Sequence, residues 1–183
     1  SSQSAWAGVG VTRLENSSAG VQSTFARDFS WEFSDIFDLT VSGSVADNHF
    51  TGTLDYGVNG TNTFDLTYDD VYELPADISN LVGSYSGIGG SGFGQETVQF
   101  VVNEQGQYSG ISDYGCEANG YLVPRARGNV FDASISFGPE PCAYANQTLM
   151  GNALYHPELN YLFMVAPEPT FTGGVAVIAS KIE

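Results

Sequence analysis

Positive charge is scarce in this chain, and the shortage argues against two classes of partner. Five Lys and Arg residues stand against 21 Asp and Glu residues, and the formal net charge is −16. Nucleic-acid binding needs a basic surface that displaces counterions from phosphates, and anionic membranes attract basic segments. We therefore expect neither nucleic acid nor an anionic membrane as a partner. The acidity is typical of a protein that stays soluble in extracellular or salt-rich surroundings.

Long apolar segments are missing as well. The longest apolar run near the C-terminus, Val175 to Ala179, has the length of a strand, whereas a membrane-spanning helix needs about 20 apolar residues. The sequence begins at Ser1 without an initiator Met. We therefore expect a processed or trimmed chain, with any signal peptide or lipid-attached cysteine upstream.

Only two cysteines occur, Cys116 and Cys142, and neither belongs to a CxxC pair or to a His-rich cluster. Metal binding by these thiols is therefore not expected. A disulfide between neighbouring strands is the better interpretation, and it predicts an oxidising compartment, hence a secreted or cell-surface location.

Helical periodicity is absent, and the pattern is that of an all-β protein. Apolar residues alternate with polar ones, and Gly, Asn, Asp and Pro interrupt the chain about every eight to twelve residues. Residues 81–183 form the second predicted unit, in which eight short antiparallel strands suit an up-and-down barrel without open edges. The predicted strands are Val82–Ile88, Glu96–Asn103, Gln107–Asp113, Glu117–Val123, Asn129–Phe137, Gln147–Tyr155, Tyr161–Val165 and Gly174–Ser180.

The first predicted unit, residues 1–72, is shorter and is expected to be an incomplete sheet or half-barrel. Six strands do not close comfortably around a filled interior, so open edges are expected. A linker over residues 73–80, marked by Pro75, joins the two units. The predicted strands are Ala5–Arg13, Val21–Asp28, Trp31–Phe37, Leu39–Val45, Phe50–Tyr56 and Thr63–Val71.

The two units resemble unequal copies of one another. The aromatic-x-Gly-x-Gly sequence that starts at Trp6 returns at Tyr85, about 80 positions later, and Asn48 with Phe50 corresponds to Asn129 with Phe131. Three arrangements could satisfy the edges of the shorter copy. In the first, the sheet packs against the barrel; in the second, its own N-terminal segment completes it; in the third, it accepts a strand from a neighbouring molecule.

Calcium is the metal that the residues suit best, because hard oxygen ligands cluster near the end of the first unit. The spacing is not that of an EF-hand, and a solvated acidic surface is the favoured alternative. The candidate ligands are Asp65, Asp69, Asp70, Glu73 and Asp77.

Catalytic patterns are weak, and no enzyme is predicted. There is no G-x-S-x-G motif, only two histidines occur, and the Gly-rich stretch from Gly87 to Gly94 lacks the lysine and the following helix of a phosphate site. An acidic hydrolase, which needs two facing carboxylates, is a distant alternative.

An eight-stranded barrel either fills its interior with side chains or holds one small molecule there. A packed core is favoured here, and an apolar ligand is the alternative. The aromatic side chains proposed to line such a ligand site are Tyr121, Phe131, Tyr155 and Phe163.

The second unit resembles a group of small uncharacterised exported proteins and lipoproteins of Gram-negative bacteria that have a lipocalin-like β-barrel. The resemblance rests on Leu81 to Gly87, on Gly110-x-Ser112-x-x-Gly115-Cys116, and on Asn129-Val130-Phe131 leading to Cys142. It implies export and a barrel fold, and it brings no activity or catalytic residues.

These observations favour a non-enzymatic structural or adhesive protein of the bacterial exterior. Self-association is the expected partnership, with assembly into a filament by strand complementation of the incomplete sheet. The alternative is a carrier of a small apolar molecule in the second barrel. No cofactor is expected apart from calcium.

Overall fold

The computed structural model describes residues 8–17, 20–30, 35–170 and 172–182, and their elements are β-strands and short 3-10 turns. The predicted all-β fold is confirmed, since an open sheet precedes a closed eight-stranded antiparallel barrel. The chain divides into two compact units, residues 1–69 and 70–183. The predicted strand positions 5–7 and 31–34 lie outside the described residues. Trp6, where the first copy of the predicted internal repeat begins, also lies outside the described residues. The internal repeat therefore stays a prediction.

The first unit is a six-stranded open sheet. Its strands pair in the order β1-β2-β4-β5-β6, β3 pairs with β2, and all the pairs are antiparallel. In the described part of this unit, β1, β3 and β6 each pair with one strand only, so each forms an edge. The strands are β1 (Gly8–Ser17), β2 (Gly20–Ser30), β3 (Asp35–Asp38), β4 (Thr40–Ala46), β5 (His49–Asp55) and β6 (Thr61–Thr67).

Aromatic rings cover glycines on one face of this sheet. The rings of Phe50 and Phe64 lie 4.8 Å apart, and they cross the backbones of Gly43 and Gly52 on the neighbouring strands. A Cβ at Gly52 would fall 2.7 Å from the tip of the Phe64 ring. Glycine at these positions therefore lets the two rings approach the backbone of the sheet closely.

The second unit is a closed up-and-down barrel in which each strand pairs with the next and β14 pairs with β7. The eight strands that alternation and turn residues predicted are all present. They are β7 (Gly83–Ser91), β8 (Gly94–Val102), β9 (Gln107–Ser112), β10 (Glu117–Pro124), β11 (Val130–Phe137), β12 (Thr148–His156), β13 (Tyr161–Pro167) and β14 (Gly174–Ile182).

Side chains fill most of the barrel interior. The largest fully buried ones belong to alternate positions of the strands, as a pleated sheet requires, and they include Tyr85, Phe131, Leu122, Leu149 and Leu162. They form one continuous hydrophobic core. A filled core of this kind, and not a wide cavity, therefore stabilises most of the barrel.

The segment that precedes the barrel, residues 70–80, closes one of its ends. Ala76 and Ile78 pack against the core, and the Tyr72 carbonyl accepts a hydrogen bond from the Asn129 N–H at 2.9 Å. The Lys181 ammonium donates to the Asn80 carbonyl at 3.0 Å. The predicted linker therefore packs within the barrel unit.

The opposite end of the barrel carries the disulfide. Cys116, just before β10, is bonded to Cys142 in the loop between β11 and β12, so the predicted pairing is confirmed. The Gly-rich stretch near this end extends the predicted strand Val82–Ile88, because β7 continues through Ser91, β8 begins at Gly94, and a two-residue turn joins them.

Candidate functional site

The edge strand β6 exposes backbone groups along its whole length. The Tyr68 N–H donates to the Asn48 carbonyl at 2.6 Å, and the Tyr56 N–H donates to the Gly60 carbonyl at 2.9 Å. Hydrogen-bonded pairs recur every second residue in an antiparallel ladder. These two bonds therefore show that the N–H and C=O groups of the even-numbered residues of β6 point toward β5. The outward N–H and C=O groups, which no described residue pairs with, belong to Thr61, Thr63, Asp65 and Thr67.

Strand β6 also lacks the features that usually protect an edge. It contains neither proline nor lysine, and its register with β5 is continuous. A second edge strand, β1, has a register shift between Arg13 and Leu14, which is the kind of irregularity that discourages further pairing. The third edge strand, β3, is only four residues long. Of the described edges, β6 is therefore the best template for an added strand.

The barrel unit contains a cavity at the end that carries the disulfide. Its volume is about 100 Å³, and most of its wall is apolar. Val98, Phe100, Tyr108, Met164 and Val177 form much of that wall. The cavity exists because Gly89 and Gly110 contribute no side chains to the lining. A Cβ at Gly89 would point at Val98 and meet its Cγ1 at 3.0 Å.

Tyr144 helps to enclose this cavity. Its hydroxyl accepts a hydrogen bond from the Gly174 N–H at 2.8 Å, and its ring lies 5.8 Å from that of Phe137. Tyr144 follows Cys142 by two residues, so the disulfide ties its loop to the start of β10. The wall is therefore formed in advance of any ligand.

One charged side chain lines the cavity. Glu96 alternates along β8 with the exposed Gln95 and Thr97, which places its carboxylate on the inner face together with Val98 and Phe100. Among the residues that the structure describes, it is the single carboxylate in the cavity wall. The hydrolase alternative, which needs two facing carboxylates, therefore gains no support from this site.

The four aromatic residues predicted to line an interior ligand site do not act together. Phe131 and Tyr155 lie in the packed core, whereas Tyr121 is 46% exposed on the outer face of β10. Phe163 lies on the outer face of β13, because its neighbours Leu162 and Met164 point inward. None of the four lines the cavity. Strand alternation therefore places two of these residues inside the barrel and two outside it, and an interior ligand site formed by all four stays a prediction.

The five predicted calcium ligands are not gathered into a site. Across the described positions, no group of three or more His, Cys, Asp and Glu side chains could hold a metal ion. The Asp65 carboxylate lies 2.7 Å from His49 Nδ1, and the Asp77 carboxylate accepts a hydrogen bond from the Ser79 N–H at the start of a 3-10 turn. That hydrogen bond lowers the pKa of Asp77. These carboxylates therefore serve local structure.

Buried tyrosines should make the barrel sensitive to alkali. Burial raises the pKa of Tyr108, and burial together with the nearby Tyr155 raises that of Tyr85. The folded barrel keeps these protons at a pH where the unfolded chain releases them. Its stability is therefore complete below about pH 10 and falls as the pH rises further.

We expect the free energy of unfolding to fall by up to about 1.4 kcal/mol per pH unit for each buried phenol. Urea unfolding followed by circular dichroism at increasing pH measures this slope. Tyr85→Phe should make the slope shallower, and an unchanged slope in that variant would contradict the assignment.

Among the described residues, no helix has the length and apolarity needed to cross a membrane.

Comparison with known proteins assigns no family. No protein-family model and no curated protein matches the sequence. The chain is similar to the crystal structure of isotype 1 transferrin binding protein B from serogroup B Neisseria meningitidis, with a TM-score of 0.37 and 12% identity over 100% of this chain and 36% of that chain. A mutant transferrin binding protein B from Haemophilus parasuis Hp5 gives a TM-score of 0.37 and 12% identity over 93% of this chain and 37% of that chain. The chain therefore spans little more than a third of these structures, and a similarity of this size assigns no function.

Proposed function

We propose that this chain is a non-enzymatic structural or adhesive protein of the bacterial cell exterior that self-associates through β6. The observation that carries the proposal is the unpaired, regular edge of that strand. The disulfide supports an oxidising compartment outside the cytoplasm. A net charge of −16 keeps the protein soluble and opposes non-specific association, so that only a specific contact such as strand pairing brings two copies together.

A second copy of the same strand fits this edge. In an antiparallel pair of β6 strands centred on Phe64, Thr61 of one copy lies opposite Thr67 of the other, and Thr63 lies opposite Asp65. All the outward backbone groups of both strands are then hydrogen-bonded. A register moved by two residues leaves some of these groups unpaired, and in one direction it places the two Asp65 side chains opposite each other. The centred register is therefore the favoured one.

This pairing continues the apolar face of the sheet across the contact. The Phe64 side chains of the two copies become neighbours, and Leu66, which is 56% exposed, lies opposite Asn62 of the other copy. Repulsion between two acidic chains opposes the contact, so salt should strengthen it. Pairing of β6 with β6 closes as a two-fold dimer, whereas a filament needs β1 of one copy to pair with β6 of the next.

Replacing Thr63 with proline tests the proposal. The Thr63 N–H faces away from β5, so proline removes an edge donor and leaves the ladder between β5 and β6 intact. We expect self-association to weaken by at least about tenfold, which corresponds to the loss of about 1.4 kcal/mol or more. Analytical ultracentrifugation at about 0.05 M and about 0.5 M NaCl measures the association constant.

Thr63→Ala is the matched control, because it removes the same side chain and keeps the N–H; it should associate like the wild type. Circular dichroism verifies that both variants keep their strands. A wild-type chain that stays monomeric at every concentration and salt would contradict the proposal, and so would a proline variant that associates normally.

A second candidate function, carriage of a small molecule, is favoured by the cavity in the barrel.

A further inference from the structure

The barrel-end cavity combines an apolar wall with one carboxylate that the protein does not use. Other polar groups of the lining are already engaged: the Ser91 hydroxyl accepts from the Phe93 N–H at 3.1 Å, and the Ser112 hydroxyl accepts from the Cys116 N–H at 3.2 Å. The Tyr108 hydroxyl donates to the Ser134 carbonyl at 2.6 Å. Each of these groups therefore already has a partner within the protein, although the two serine hydroxyls keep an O–H that can still donate.

Glu96 differs from them. Among the described residues, no hydrogen-bond donor or cation contacts its carboxylate. The cations whose contacts are described lie elsewhere: Arg27 pairs with Asp38, Arg125 pairs with Asp132, and Lys181 bonds the Asn80 carbonyl. Because Glu96 is partly shielded from solvent, a ligand cation placed beside it would interact with the carboxylate more strongly than with a fully exposed one.

We propose that this cavity binds a small organic ammonium ion, with the ammonium group at Glu96 and a short apolar group against Val98, Phe100 and Met164. A cavity of about 150 Å³ accommodates benzene. The volume of about 100 Å³ found here therefore suits an apolar group of about four or five carbons. The ligand class follows from charge and size together, since the wall selects the apolar group and Glu96 selects the cation.

The geometry favours binding without rearrangement. Gly89 on β7 and Gly110 on β9 leave space on either side of β8, and Tyr144 is held by Gly174 and by the disulfide-bonded loop. A preformed site avoids the entropy cost of ordering its walls. This cost would otherwise cancel much of the binding free energy of a ligand that makes few contacts. The proposal concerns the barrel unit alone and does not depend on pairing through β6.

Three probes separate the contributions of charge and apolar surface. Pentylammonium carries both features, pentan-1-ol has the same carbon chain without the charge, and methylammonium has the charge without the chain. Calorimetric titration of the full chain at neutral pH measures each dissociation constant, and ¹⁵N–¹H spectra show which amides shift. We expect pentylammonium to bind at least about tenfold more tightly than either other probe, with shifts at Gly89, Glu96 and Val98.

Glu96→Gln should weaken pentylammonium binding by about tenfold or more and leave pentan-1-ol binding unchanged. Glu104→Gln is the matched control, because it removes one negative charge from an exposed turn and should leave the affinity as in the wild type. If methylammonium bound as tightly as pentylammonium, the apolar wall would contribute nothing to binding, and the proposal would be overturned. Equal binding of pentan-1-ol, equal effects of the two variants, or no binding of pentylammonium would overturn it as well.

Discussion

Replacing Phe131 with alanine is expected to lower the free energy of unfolding of the barrel unit by about 3–5 kcal/mol. The side chain is only 1% exposed and belongs to the continuous core. On the two strands that flank β11, it lies in register with Pro124 and Ala153. These neighbours cannot fill the space of a lost ring, so the variant contains a cavity. Guanidinium unfolding followed by circular dichroism measures the change.

Tyr121→Ala provides the matched control. It removes another large ring from the same barrel, but Tyr121 is 46% exposed on the outer face. Its effect should stay within about 1 kcal/mol. Equal losses in the two variants would show that strand alternation does not separate the two faces as described. Phe131 and Tyr121 were both predicted from the sequence to contact a ligand, and the two variants test whether one side chain is buried and the other exposed.

Replacing Cys116 and Cys142 together with alanine is expected to lower the free energy of unfolding of the barrel by about 3 kcal/mol. The disulfide closes a loop with a sequence separation of 26 residues, and its loss gives the unfolded chain more conformations. For a unit of this size, the melting temperature should fall by about 10 °C or more. Differential scanning calorimetry with and without a reducing agent measures the shift.

The double variant itself should not respond to the reducing agent, and this serves as the control. Because Tyr144 lies two residues after Cys142, the same variant should also loosen the cavity wall. A wild-type barrel that melts at the same temperature in reducing and oxidising buffer would contradict the stabilising role of the disulfide.

Much of the fold could be predicted because its determinants are local. Alternation in segments such as Phe50 to Tyr56 and turns such as Glu104-Gln105-Gly106 located the strands with small errors at their ends. The chain was expected to contain an open first sheet because six strands are too few to close around a core. The two cysteines were few enough to leave one disulfide pairing.

The cavity was harder to predict. Tyr121 shares its side of β10 with Glu117 and Asn119, which could have indicated an outward ring. Phe163 gave no such indication, because both faces of β13 are apolar: Tyr161 and Val165 accompany it, and Leu162 and Met164 oppose it. Glu96 could have been noticed as an acid on the same face of β8 as Val98 and Phe100.

The sequence by itself determined an all-β chain, its strand positions, its acidity and its disulfide, because these depend on residue type and on neighbours along the chain. Only the tertiary structure decided that β6 is the regular open edge and that residues 70–80 close one end of the barrel. It alone brought Glu96, Tyr144 and Met164 to one cavity. Such contacts depend on the register between strands that are far apart in sequence, and a register shift of one residue exchanges the two faces of a strand.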